Sequence, residues 1–197
     1  EAWGWLGQKL MIPVGQMWPW SSPDQVRYLR RPTVEPGSFV LRRERHFLGL
    51  LHRYGLWAAE RPQHHPMVRI YPERAGARWE IDGRDWTLRH VRGLKGRAIL
   101  ERGELPLAAM QYRGRELDTW TDIIYDDTFY RLAHVEDGKG GFVLSDEDDE
   151  LFLTIEGARM RLHQTLPLPL VVMVAARFIE ESAIRGIAGP NGKRNAG

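Results

Sequence analysis

Residues able to hold a cation, move a proton or grip an anion are scattered along this chain. Their spacing decides which of those jobs is open to them. The densest charge is the acidic run Asp146-Glu147-Asp148-Asp149-Glu150. Hard carboxylate oxygens suit Ca²⁺. The run lacks the glycine and alternating ligand spacing of an EF-hand loop, so a solvated connecting loop is the competing explanation. The histidines are His46, His52, His64, His65, His90, His134 and His163, and none forms H-E-x-x-H or another ligand spacing. His90, His134 and His163 fall in separate β-like segments and can meet only through the fold. Asp126-Asp127 offers a carboxylate pair for acid–base work, and it also reads as a turn. No serine sits in a G-x-S-x-G elbow, and Gly138, Gly140 and Gly141 form GKGG, which lacks phosphate-loop spacing.

Two further groups could bind without doing chemistry. Arg27, Arg30, Arg31, Arg42, Arg43 and Arg45 cluster in sequence, with Tyr28 and Phe39 among them. Arginine with aromatics can hold phosphates, stack bases or meet anionic lipid head groups. The competing explanation is a solvated arginine-rich face. Trp3, Trp5, Trp18 and Trp20 are half of the chain's 8 tryptophans. They suit an aromatic surface that docks on a membrane interface or a partner. They equally suit an irregular arm whose indoles cover apolar surface of the main domain.

Composition narrows the class. The chain has 197 residues, 43% hydrophobic and 27% charged, which is the range of a soluble globular domain with a real core. A net charge of +2 is not the balance of a dedicated nucleic-acid binder. With 0 cysteines there is no disulfide framework, thiolate zinc site or cysteine nucleophile. No basic n-region opens the chain, so a cytoplasmic protein is expected, peripheral to a membrane if it meets one.

The elements follow from periodicity. Pro13, Pro19, Pro23, Pro32 and Pro36 exclude a long helix from the first residues. Ser38–Arg42 reads as a short strand. Glu44–Glu60 carries Phe47, Leu50, Leu51, Tyr54 and Trp57 at helical spacing and predicts a helix stopped by Pro62. From Met67 the period becomes two. Ten short segments follow, from MVRIY (67–71) to ARMRLH (158–163), separated by signals such as Asp82-Gly83, Asp126-Asp127 and Glu156-Gly157. No crossover helices intervene, so the sheet should be an antiparallel meander. Last comes the apolar run Leu166–Ile179, LPLPLVVMVAARFI. It is shorter than the roughly 20 residues a membrane span needs. A helix apolar on nearly every side belongs inside something, and here the container is a closed sheet. The expected plan is mainly β: a closed antiparallel β-barrel around a central helix at 167–182. Residues 1–66 form a Trp/Pro-rich arm plus short helix packed on it, 67–183 the barrel, and 184–197 a flexible tail.

This plan resembles the tubby-like β-barrel superfamily, which includes LURP-one-related proteins and phospholipid scramblases. The resemblance is carried by WEIDGRDWTLRHVRGLKGRAILERGELPLAAMQYR (79–113) and DDELFLTIEGARMRLHQTLPLPLVVMVAARFIEES (148–182). It implies about twelve strands around the helix. By similarity to scramblases it puts a calcium segment at Asp146, Asp148 and Glu150. It also implies a non-enzymatic binding module engaging anionic lipid or a membrane-associated partner. Arg27, Arg30, Arg31, Arg42 and Arg43 would take the anionic group, and Trp3, Trp5, Trp18 and Trp20 would dock. A nucleic-acid-binding regulator and an enzyme with a site at the barrel mouth are the competing readings. No catalytic residues and no organic cofactor are named by the sequence.

Overall fold

The computed structural model describes residues 32–45, 52–60, 65–91, 97–103, 105–113, 120–135 and 141–185. Strand β1 is Thr33–Val34, and the barrel strands begin with β2 (Gly37–Arg45) and β3 (His52–Ala58). They continue with β4 (Val68–Glu73), β5 (Gly76–Ile81), β6 (Arg84–His90), β7 (Arg97–Arg102) and β8 (Leu105–Arg113). Next come β9 (Trp120–Tyr125), β10 (Thr128–Val135), β11 (Gly141–Ser145), β12 (Leu151–Glu156) and β13 (Arg159–Leu162). The short β14 (Leu166–Pro167) leads into helix α1 (Leu168–Arg185).

Strands β2 to β13 close into one antiparallel barrel of twelve strands in sequence order, with β13 pairing back onto β2. Two-residue turns enforce this meander. Asp82 and Gly83 have φ of 52° and 70°, and Asp126 and Asp127 have 50° and 58°. Positive φ at both central residues matches the right-handed twist of a tight hairpin, and Gly and Asp tolerate it better than most residues. The Asp126-Asp127 pair is thus the tip of the β9–β10 hairpin.

One predicted element is corrected. Within 44–60, residues 44–45 and 52–58 are strand, not helix, and the barrel begins at Gly37 rather than at residue 67. Leu56 is buried on the inner face, while Arg53 and Trp57 flank it on the outer face. That is period two, and Tyr54 and Trp57 match helical spacing only by coincidence. Tertiary pairing decides the outcome: without β2 and β3, the edges of β13 and β4 would be left open. The arm over residues 1–31 and the tail over 186–197 lie outside the described residues.

Inside the closed sheet runs α1. Leu170 through Ala175 and Phe178 are fully buried on every face of the helix. Around them stand the inward residues of the wall, among them Leu41, Leu56, Ile70, Trp79, Leu88, Leu100, Met110 and Ile123. A barrel of this size needs such a filling, and each fully buried large apolar side chain is worth about 1.5–3 kcal/mol relative to exposure. The helix entrance is tied by β1 pairing with β14 and by Leu168 N–H donating to the Pro32 carbonyl at 2.8 Å. Among the described residues, no helix is long and apolar enough to cross a membrane.

Candidate functional site

Strand alternation gives the barrel wall two chemistries. On β2, Phe39 and Leu41 point inward, so Ser38, Val40, Arg42 and Glu44 point outward. The same rule turns out Arg53, Gly55 and Trp57 on β3, Arg69 and Tyr71 on β4, Arg78 and Glu80 on β5, and Arg159 and Arg161 on β13. These strands are neighbours in the order β13-β2-β3-β4-β5. One outer face therefore collects arginines and aromatics.

Gly55 organises its centre. In register it lies between Arg42 on one side and Arg69 on the other. The Trp57 ring lies across the missing side chain: a Cβ on Gly55 would meet it at 2.3 Å. The Arg42 guanidinium sits 5.9 Å from the Trp57 ring centroid, and Arg78 sits 5.7 Å from that of Tyr71. Glu44 is shared between Arg53 at 2.6 Å and Arg69 at 3.1 Å, leaving that trio net positive. Met67, whose N–H donates to the Leu56 carbonyl at 2.8 Å, stands beside them with 40% of its surface exposed.

Beyond Arg42 the face continues into a groove of about 600 Å³ whose lining includes Ser38, Thr154, Glu156, Arg159, Arg161 and His163. Arg159 and Arg161 are exposed and make no ion pair with another described residue. His163 Nε2 lies 3.3 Å from Thr154 Oγ1.

A second polar cluster closes the far end of the helix. Arg177 sits above the Tyr112 ring at 3.8 Å, 3.3 Å from Glu180 Oε2, and in contact with Glu181. His90 Nε2 is 2.5 Å from Glu180 Oε1, Tyr112 OH donates to Glu180 Oε2 at 3.2 Å, and His134 Nε2 is 3.4 Å from Glu181 Oε1. Burial pushes the Glu180 carboxyl up, but His90 and Arg177 beside it outweigh that and hold it below the usual range. The Glu180 hydrogen bond raises His90, and burial raises Tyr112, which stays a neutral donor.

The sequence-derived candidates are distributed unevenly over this frame. Arg42 belongs to the outer face, but its neighbour Arg43 takes the opposite side of β2, because successive residues of a strand face opposite ways. Arg27, Arg30, Arg31, Trp3, Trp5, Trp18 and Trp20 lie outside the described residues. Of the strand histidines, His90 and His134 converge on the helix end and His163 stands on the outer wall. In the acidic run, Asp146 Oδ1 accepts the N–H groups of Asp148 at 3.0 Å and Glu150 at 2.8 Å. Glu150 accepts from Gln164 at 2.7 Å. These contacts shape the β11–β12 loop. Among the described residues, no group of three His, Cys, Asp or Glu is placed to hold a metal ion.

Arg159 and Arg161 escaped the sequence reading. The signal was the R-M-R-L alternation of β13, which marks a strand with one basic face. The helix-end cluster had a signal too: Arg177, Glu180 and Glu181 stand at i, i+3 and i+4. Comparison with family models, curated proteins and solved structures gave no match to this chain.

Proposed function

We propose that this chain is a non-enzymatic binding module whose outer face over β13-β2-β3-β4-β5 docks on an anionic lipid surface. The observation that carries the reading is Trp57 laid across Gly55 between Arg42 and Arg69, with Met67 exposed alongside. An amphipathic ring and an unbranched apolar chain, rimmed by arginines, suit the boundary between head groups and acyl chains. Each arginine near an anionic leaflet is worth about 1 kcal/mol. The helix fills the barrel behind the face, so the ordering cost of binding falls on the exposed side chains rather than on the strands that carry them. The proposed kinship with the tubby-like superfamily draws on the shared plan of twelve antiparallel strands around a C-terminal helix. Plan alone is a weak warrant for function, so the weight rests on the face.

Co-sedimentation with vesicles tests this. Pelleting is expected with phosphatidylcholine vesicles containing phosphatidylserine, weakening as salt rises, and not with phosphatidylcholine alone. The double variant Arg159→Gln, Arg161→Gln should lose about 2 kcal/mol, or roughly thirty-fold in affinity. Equal pelleting with neutral vesicles, or none with anionic ones, overturns the proposal. Retention of a single-stranded oligonucleotide without vesicle binding would move the reading to nucleic acid, which the same arginine–aromatic stripe could stack.

A further inference from the structure

The cluster at the helix end takes no part in the outer face. We propose that His90 is a proton-operated latch, which fastens the C-terminal turns of α1 to the barrel wall when it carries its charge. His90 stands at the end of β6 with the Glu180 carboxylate against its ring. Glu180 Oε1 is 2.5 Å from Nε2, and His90 N–H on the main chain donates to the Ala75 carbonyl at 2.9 Å, which fixes the ring's strand in place. The imidazolium makes the Glu180 contact an ion pair, which the neutral ring cannot.

The surroundings favour that charge. From the helix, Glu180 faces the ring and Arg177 lies behind Glu180, with Glu181 and the β10 residue His134 one step further along. From β8, Tyr112 meets the ring edge-on at 5.9 Å and donates to Glu180. Arg97 on β7 directs its own side chain to Gln111 at 2.7 Å, and Arg89 is turned outward to Glu101 at 2.7 Å. Glu180 is thus the carboxylate nearest the ring among the described residues. Both groups keep part of their surface in solvent, 28% for His90 and 30% for Glu180, so protons reach them without unfolding.

The direction of the switch follows. The folded protein raises His90 above its ordinary value of about 6.5. The latch is complete below that value and is lost as pH rises through the raised one. Glu180 is held low, so its side of the latch fails only when pH falls through its depressed value. The helix end is therefore held tightest in the window between the two.

Amide hydrogen exchange read by NMR tests the latch, with the His90 ring followed in the same samples. Protection at Phe178 to Glu181, corrected for intrinsic exchange, should fall about tenfold as pH rises through the His90 titration. In His90→Gln it should stay at the lower level with no step, and in His134→Gln the step should remain. A wild-type protein whose protection is unchanged through the His90 titration overturns the proposal, and needs no variant to fold. A step that survives in His90→Gln, or vanishes in His134→Gln alone, overturns it too. Glu180→Gln should abolish the step and return His90 toward its ordinary value.

Discussion

Replacing Phe178 by alanine is expected to lower the free energy of unfolding by about 3–5 kcal/mol. Phe178 is fully buried in the last filled layer of the barrel, and its ring meets Phe142 of β11 edge-on at 5.5 Å. Phe142 in turn carries His134 at 4.3 Å. The wall cannot collapse into the space left behind, because closed hydrogen-bonded strands fix its radius. The full cavity cost should therefore appear, on top of the lost transfer term. Urea denaturation followed by tryptophan fluorescence measures it, with an unchanged slope marking the same unfolded state. Leu151→Ala is the control: Leu151 is 36% exposed, and its loss should change stability by no more than about 0.5 kcal/mol. A Phe178→Ala cost as small as the control's would mean that the helix is not the filling of the barrel.

What the sequence made legible was whatever depends on local pattern. The run at 166–179 is apolar on all faces, and that alone demands a container. LPLAAMQYR at 105–113 coincides with β8, because its ends are marked by Gly103 and by the loss of alternation. The Asp-Gly and Asp-Asp hairpins were legible because few residues tolerate positive φ. The β3 strand was not legible. Its Tyr54 and Trp57 satisfy a helical pattern, and the evidence against a helix is the closure of the barrel, which needs β3 beside β4 and brings β2 to β13 from the far end of the chain. Closure is a global constraint that no window of residues contains.

The candidate sites divide the same way. The basic faces of β2 and β13 can be read from alternation within each strand. Their adjacency cannot, since Arg161 pairs with Ser38 across more than half the chain. The tryptophan laid over Gly55 depends on a register that sets Arg42, Gly55 and Arg69 side by side. His90 and Glu180 are 90 residues apart and meet only because the helix is threaded to one depth in the barrel. A shift of one residue along the helix would rotate Glu180 by roughly 100° and remove it from the ring.

Arg177 is placed to hold the helix at that depth, and Arg177→Met is expected to cost about 3–5 kcal/mol. The guanidinium is only 8% exposed and serves Glu180 and Glu181 while stacking on Tyr112. Methionine preserves most of the volume and the contact with the ring, so the loss isolates charge from packing. Two carboxylates would then stand at the barrel end without their shared cation, and Glu181, 7% exposed, could not turn to water. The added variant Glu181→Gln should return part of the loss, because it removes one of the two carboxylates that shared the cation. A double-mutant cycle in urea measures this coupling, which should fall between about 1 and 3 kcal/mol. Simple additivity would show that Arg177 acts through packing alone. A large coupling would place an ion pair, rather than apolar fit, in control of how deep the helix sits, and hence of whether Glu180 meets His90 at all.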